Sequence, residues 1–172
     1  MKGDDRPQAR AETDFAAVFA SHRRTFFKVA YVYARDPSDR EDLIQDMALQ
    51  LWRSLPNFDG KSAVATFVYR LALNVAISRR RRDRRHPTTA PLELGLTVAD
   101  RAFEGDDSRM PLLKALIGDL DAMSRALVLL HLEGFDHAEI AALMGLGVSN
   151  VGTRLSRIRQ RLKAQAIEGG MT

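Results

Sequence analysis

With 172 residues, 45% apolar and 28% charged, the chain has room for one medium domain or two small ones with packed cores. Its longest apolar runs, such as RALVLLHLEG, fall far short of the ~20 residues of a membrane span, so no membrane insertion is expected. The absence of cysteine excludes disulfides, thiolate nucleophiles and thiolate metal sites together, and the modest net charge of +4 is concentrated in arginine clusters suited to an acidic polymer.

The opening stretch MKGDDRPQARAETD carries acids and no apolar segment, unlike a secretory or mitochondrial-type signal, and the chain is expected to stay in the cytoplasm. Phe15, Phe19, Phe26, Val29, Ala30 and Tyr33 then recur at helical spacing and predict one helix from Phe15 to Ala34, ended by RDPS. Ser38 and Glu41 have the S-x-x-E spacing of a capping box and open a second helix running to about Leu55, before Pro56. On it Leu43, Ile44, Met47, Ala48 and Leu51 point one way, whereas Asp42, Gln45, Asp46, Leu49 and Arg53 point the other. An acidic face with a leucine in it suits protein docking; ordinary surface acids are the alternative reading.

A third helix begins near Ala63 and continues through TFVYRLALNVAISRRRRD. Val64, Phe67, Val68, Leu71 and Val75 share a stripe expected in the core, which puts Thr66, Tyr69, Arg70, Leu73, Ile77, Arg80, Arg81 and Arg84 outward. Aromatic and basic groups together can stack on bases and hold phosphates, although the run Arg79 to Arg85 reads equally as a solvated charged face. Residues 86–110 lose periodicity and collect Pro, Thr, Gly and Asp, as a linker does, with a weak helical turn expected around Val98 to Phe103. Helical patterning resumes at Pro111 with Leu112, Leu113, Leu116 and Leu120, then MSRALVLLHLEGF. Strand signals are scarce, and the expected fold is all-α: two small helical modules, residues 12–85 and 111–166, joined by a polar tether.

The stretch IAALMGLGVSNVGTRLSRIRQRL carries the most information. Asp136 and Glu139 make an acidic capping box for a helix from about His137 to Met144, and Gly145 supplies the positive φ that ends it. Ser149 is the expected N-cap of a second helix from Asn150 to about Ala164, completing a helix-turn-helix. On this last helix Val151, Leu155, Ile158 and Leu162 face the core, while Asn150, Arg154, Arg157 and Arg161 gather on another face. No acid occurs between Asn150 and Lys163. A helix serving only solubility would mix Glu with Lys at i,i+4, whereas this face suits the major groove of duplex DNA, base edges at its N-terminal end and phosphates alongside. A basic helix that docks onto protein is the alternative.

An enzyme is disfavoured. His22, His86, His131 and His137 have no metal-ligand spacing with acids, and neither a G-x-x-x-x-G-K loop nor a G-x-S-x-G elbow is present, so no metal or cofactor is expected. A self-sufficient helix-turn-helix regulator would carry a sensing domain, and the first module has no ligand-pocket signature. A mimic that only sequesters an inhibitor would not need DNA-reading arginines.

Three blocks, SDREDLIQDMALQLWRSLPNF, TFVYRLALNVAISRRRRDRR and LDAMSRALVLLHLEGFDHAEIAALMGLGVSNVGTRLSRIRQRL, resemble in this order the bacterial RNA polymerase sigma factors of the extracytoplasmic-function class in the sigma-70 family. The resemblance covers roughly residues 12–85 and 111–165. It implies a factor that binds core polymerase, through the β′ clamp and the β flap, and directs it to promoter DNA, with an anti-sigma protein as a further partner. Asp42, Gln45, Asp46, Leu49 and Trp52 match the segment that grips the clamp helices of β′. Phe58, Lys61, Tyr69, Arg70, Asn74, Arg80 and Arg81 match the part that captures the melted minus-ten strand. Ser149, Asn150, Thr153, Arg154, Arg157 and Arg161 match the helix that reads the minus-thirty-five duplex. The chain departs from the family at Val64, Phe67 and Leu73, where Phe, Trp and Arg are frequent, and at Gly152, where Lys is usual.

Overall fold

The computed structural model describes residues 6–85 and 109–168, and every regular element among them is helical. These residues form two compact units. The stretch expected as a tether, from 86 to 108 and including the turn expected at Val98 to Phe103, lies outside the described residues.

The first unit is built from α1 (Arg6–Ser21), α2 (Arg23–Tyr33), α3 (Pro37–Ser54) with a single 3-10 turn at Leu55–Asn57, and α4 (Val64–Arg85). The single helix expected over Phe15 to Ala34 is thus two helices, broken at His22, whose backbone leaves the helical region at φ −111° and ψ 15°. Periodicity missed the break because the apolar stripe carries across it: the rings of Phe15 and Phe19 stack at 5.8 Å and those of Phe19 and Phe26 at 5.1 Å. The expected cap of α3 is also displaced. Asp36, not Ser38, is the N-cap, accepting the Asp39 N–H at 2.8 Å, and Pro37 occupies the first helical position, where a missing N–H costs nothing.

The core of this unit is formed by Phe26, Val29 and Val32 of α2, Leu43, Met47 and Leu51 of α3, and Val68, Ala72, Leu73 and Ala76 of α4. The expected face of α3 is the buried one. The face of α4 is so only in part, with Val68 and Leu71 buried as expected. Tyr69, Leu73 and Ile77, expected outward, are buried at 5%, 1% and 6% exposure, while Val64, Phe67 and Val75 are only half-buried. The buried arc is broad because α4 packs on both α2 and α3, and the alanines at its centre, Ala72 and Ala76, were not counted as core.

The second unit contains α5 (Met110–Ile117), α6 (Ala122–Leu132), α7 (His137–Met144) and α8 (Val148–Glu168). Arg125, buried, folds back over the α5–α6 turn, its Nε donating to the Leu120 carbonyl at 3.0 Å and its Nη2 to the Gly118 carbonyl. These bonds satisfy the carbonyl of the α5 C-cap, Gly118, and one in the turn that follows it. The capping box of α7 forms in both directions at 2.8 Å: Asp136 accepts the Glu139 N–H, and Glu139 accepts the Asp136 N–H. Gly145 closes α7 at φ 65° and ψ 36°, and the Leu146 N–H reaches the Ala141 carbonyl at 2.9 Å.

Two glycines here should respond to the same substitution with opposite signs. Gly145→Ala forces a side chain into the left-handed region and should lower the unfolding free energy of the second unit by about 1 to 2 kcal/mol. Gly152 lies inside α8, and a Cβ there would sit at ordinary contact distance, 3.5 Å, from His137 Nδ1. Gly152→Ala should therefore raise stability by about 0.5 to 1 kcal/mol, with urea unfolding of the full chain as the measurement.

Candidate functional site

The second helix of the helix-turn-helix begins two residues earlier than expected, at Val148 rather than Asn150. The Gly147 carbonyl accepts the Val151 N–H at 3.1 Å, so Ser149 lies in the first turn of α8 rather than capping it, and its carbonyl receives the Thr153 hydroxyl at 2.9 Å. Glycine is an acceptable N-cap residue, which is why the tight turn ends there. Val151, Leu155 and Ile158 are buried and Leu162 is half-buried, as expected. Ser149, Asn150, Thr153, Arg154, Arg157 and Arg161 are all exposed, and Arg154 Nε donates to Asn150 Oδ1 at 2.9 Å. The aliphatic stripe holds α8 to its unit and leaves the guanidinium face free.

In the first unit the polar face of α3 is open to solvent. Asp42, Gln45 and Asp46 are exposed, and among them stand two large apolar side chains, Leu49 at 48% and Trp52 at 39% exposure. The Trp52 ring meets Phe15 of α1 edge-on at 5.4 Å, so the apolar end of this face is shared between α3 and α1. Beside it runs a groove of about 520 Å3 between α3 and α4, lined by Asp46, Leu49 and Arg53 on one side and Arg70, Asn74 and Arg82 on the other. Arg70 and Asn74 are exposed on one face of α4, as is Arg81, while Arg80 is half-buried. Tyr69, grouped with them from the sequence, is buried in the core and does not reach this surface. Phe58 is half-buried against Phe67 at 4.8 Å between ring centroids, and the Lys61 ammonium pairs with Asp59 at 3.0 Å.

Both units match known protein families. Residues 18–86 match the family described as Sigma-70 region 2, and residues 112–162 match Sigma-70, region 4. The ECF RNA polymerase sigma factor SigM of Mycobacterium tuberculosis is 30% identical over 148 residues, covering 86% of this chain and 74% of that protein. The chain belongs to the ECF class of sigma-70 family RNA polymerase sigma factors. The sigma factor NccH of Alcaligenes xylosoxydans xylosoxydans is 26% identical over 158 residues, covering 87% of this chain and 85% of that protein. Among solved structures, CnrH in complex with the cytosolic domain of CnrY matches with a TM-score of 0.64 at 24% identity, over 93% of this chain and 94% of that one. The sigma factor RpoE in complex with the anti-sigma factor NepR from Bartonella quintana matches with a TM-score of 0.59 at 21% identity, over 89% and 94%. As a sigma factor, the protein binds core RNA polymerase and directs it to promoters.

One group on the sigma factor's acidic face escaped sequence reasoning. Asp39, at the start of α3, is buried. Its Oδ2 accepts the Arg35 backbone N–H at 2.9 Å and Arg35 Nε at 3.2 Å, and its Oδ1 accepts Arg79 Nη2 at 2.8 Å. Arg79 reaches on with Nη1 to Asp46 Oδ2 at 2.8 Å. In the sequence, Arg79 is only the first of a run of arginines; what distinguishes it is its place on the side of α4 that meets α3.

Burial pushes the Asp39 carboxyl up, but the hydrogen bonds from Arg35 and the charges of Arg79 and Arg35 outweigh it and hold the group below its ordinary value. A depressed folded-state pKa contributes stability that is present above the unfolded value of about 3.9 and is lost as pH falls through the lower folded value. Acidification from about pH 5 to about pH 3 should therefore lower the urea midpoint of the first unit, and Asp39→Asn should give a lower midpoint at neutral pH with a shallower acid slope.

Proposed function

We propose that the two units divide promoter recognition between them. The second unit reads the upstream minus-thirty-five duplex with α8, Ser149, Asn150 and Thr153 at base edges and Arg154, Arg157 and Arg161 on phosphates. The observation that carries this reading is the segregation on α8: Asn150, Arg154, Arg157 and Arg161 are exposed while Val151, Leu155 and Ile158 anchor the helix from its other side. Because Gly152 stands where the family usually has Lys, phosphate affinity leans on Arg154 and Arg157.

The first unit docks on the β′ clamp with Asp42, Gln45, Asp46, Leu49 and Trp52, a surface in which carboxylates surround exposed apolar groups. Phe58, Lys61, Arg70, Asn74, Arg80 and Arg81 serve the melted minus-ten strand; Tyr69 supports α4 from the core rather than stacking on a base. The second unit also meets the β flap. CnrH and the Bartonella RpoE were each solved with a partner chain, and an anti-sigma protein is the corresponding partner here. The role is recruitment in the cytoplasm, with no chemistry of its own.

Arg154→Ala should weaken binding to minus-thirty-five duplex and make log K against log salt shallower by about 0.9, the loss of one phosphate contact, as measured by titration at several salt concentrations. An unchanged slope would remove Arg154 from the phosphate contacts. Leu49→Asp should reduce capture of core polymerase by at least about tenfold while leaving duplex affinity intact, since it replaces a desolvated apolar anchor by a charge.

A further inference from the structure

We infer that Arg79 is a positioning residue for polymerase docking: it presents the Asp46 carboxylate of α3 in a fixed orientation from a mount on buried Asp39. The inference rests on the docking role proposed above for the α3 face.

Asp39, Asp42 and Asp46 lie at i, i+3 and i+7 on α3 and so share one side of the helix. Arg79 lies across them from α4, with Nη2 at 2.8 Å from Asp39, Nη1 at 2.8 Å from Asp46 and Nη2 at 3.8 Å from Asp42. Its side chain is 21% exposed, whereas those of Asp42 and Asp46 are 62% and 52% exposed. The inner end of the chain of bonds is fixed several times over. The Asp39 backbone is tied to the Asp36 cap, and the Asp39 carboxylate already holds the Arg35 backbone N–H and guanidinium. A guanidinium is a rigid planar fork, so fixing Nη2 on Asp39 fixes where Nη1 points. Asp46 is held by one oxygen, Oδ2, and its exposed carboxylate remains able to accept a donor from a partner.

Two roles for Arg79 predict opposite signs. Counted as formal charges, Asp39, Asp42 and Asp46 outnumber Arg35 and Arg79, and the cluster stays net negative toward a cationic partner. If Arg79 merely screened the face, removing it would strengthen docking. If it positions Asp46, removing it frees the side chain, and docking must bear the cost of ordering it again. The geometry favours positioning, because both arms of the fork are at hydrogen-bond distance and the inner one ends on an immobile group.

The test is titration of the full-length labelled sigma factor with purified core polymerase, using Asp46→Asn, Arg79→Gln, Arg79→Lys and the Asp46→Asn, Arg79→Gln double variant. Asp46→Asn should weaken binding about tenfold, Arg79→Gln about fivefold, and the double variant no more than Asp46→Asn alone, because contacts in one network are not additive. Arg79→Lys keeps a cation for Asp39 but replaces the rigid planar fork by a point charge with freely rotating donors on a shorter stem, so it does not fix the Asp46 carboxylate and should lose affinity about as Arg79→Gln does; it decides the matter if the glutamine variant does not fold. Losses that multiply in the double variant, or an Arg79→Lys protein that binds as tightly as wild type or tighter, would overturn the inference while leaving the docking role standing. Full affinity of Asp46→Asn would instead remove the docking role of Asp46, and the inference with it.

Discussion

A buried carboxylate, Asp39, sets the relation of α3 to α4 in the first unit. Burying an ionised carboxyl is costly unless it is paired and hydrogen-bonded, and here it is met from its own chain segment by Arg35 and from forty residues away by Arg79. The local partner stabilises the charge, but only the distant one fixes tertiary geometry. Apolar packing between helices tolerates small sliding, whereas a guanidinium bridging Asp39 and Asp46 at 2.8 Å on each arm selects one register of α4 along α3. The groove carrying Leu49, Arg70 and Asn74 depends on that register.

The second unit solves the corresponding problem without a buried ion pair between its helix-turn-helix elements. Helix α8 is positioned by an aliphatic stripe and by a turn whose geometry Gly145 dictates. Since nothing polar is needed to hold it, every arginine on its exposed face stays available for phosphate. On α4 the first arginine of the cluster is instead committed to carboxylates of α3. The same residue type thus has two roles in the chain, and the difference lies in which neighbour the helix packs against.

That difference explains what the sequence made legible. The α7–turn–α8 geometry could be read residue by residue because its determinants are local: the Asp136–Glu139 box, the glycine at positive φ, and a stripe of Val, Leu and Ile. The ends of α8 differ from expectation: Gly147 precedes Ser149 at its start, and it runs on to Glu168, past the expected end near Ala164. The polar face of α3 was legible for the same reason. Misreadings occur where tertiary context decides. The break at His22 is hidden by aromatic stacking that continues across it, and the face of α4 is set by two neighbouring helices and by alanines too small to register as a stripe. Asp36 and Pro37 did announce the start of α3, but the Ser38–Glu41 spacing offered a competing local signal.

The aromatic cluster at the other end of α3 adds a constraint on the face proposed to dock polymerase. Trp52 and Leu49 are large apolar groups left in water beside carboxylates, an arrangement that costs solvation in the free protein and is recovered only when a partner covers them. The Trp52 ring is not loose: Phe15 meets it edge-on, and Phe15 in turn stacks on Phe19, which reaches Phe26 in the core. A rigid indole loses less conformational freedom on association than a free one. Both ends of the α3 face are therefore held from elsewhere in the unit, Asp46 by an ionic bridge from α4 and Trp52 by a run of rings from α1 and α2. An exposed surface whose Asp46 and Trp52 are each held by a half-buried neighbour, Arg79 and Phe15, is organised before a partner arrives.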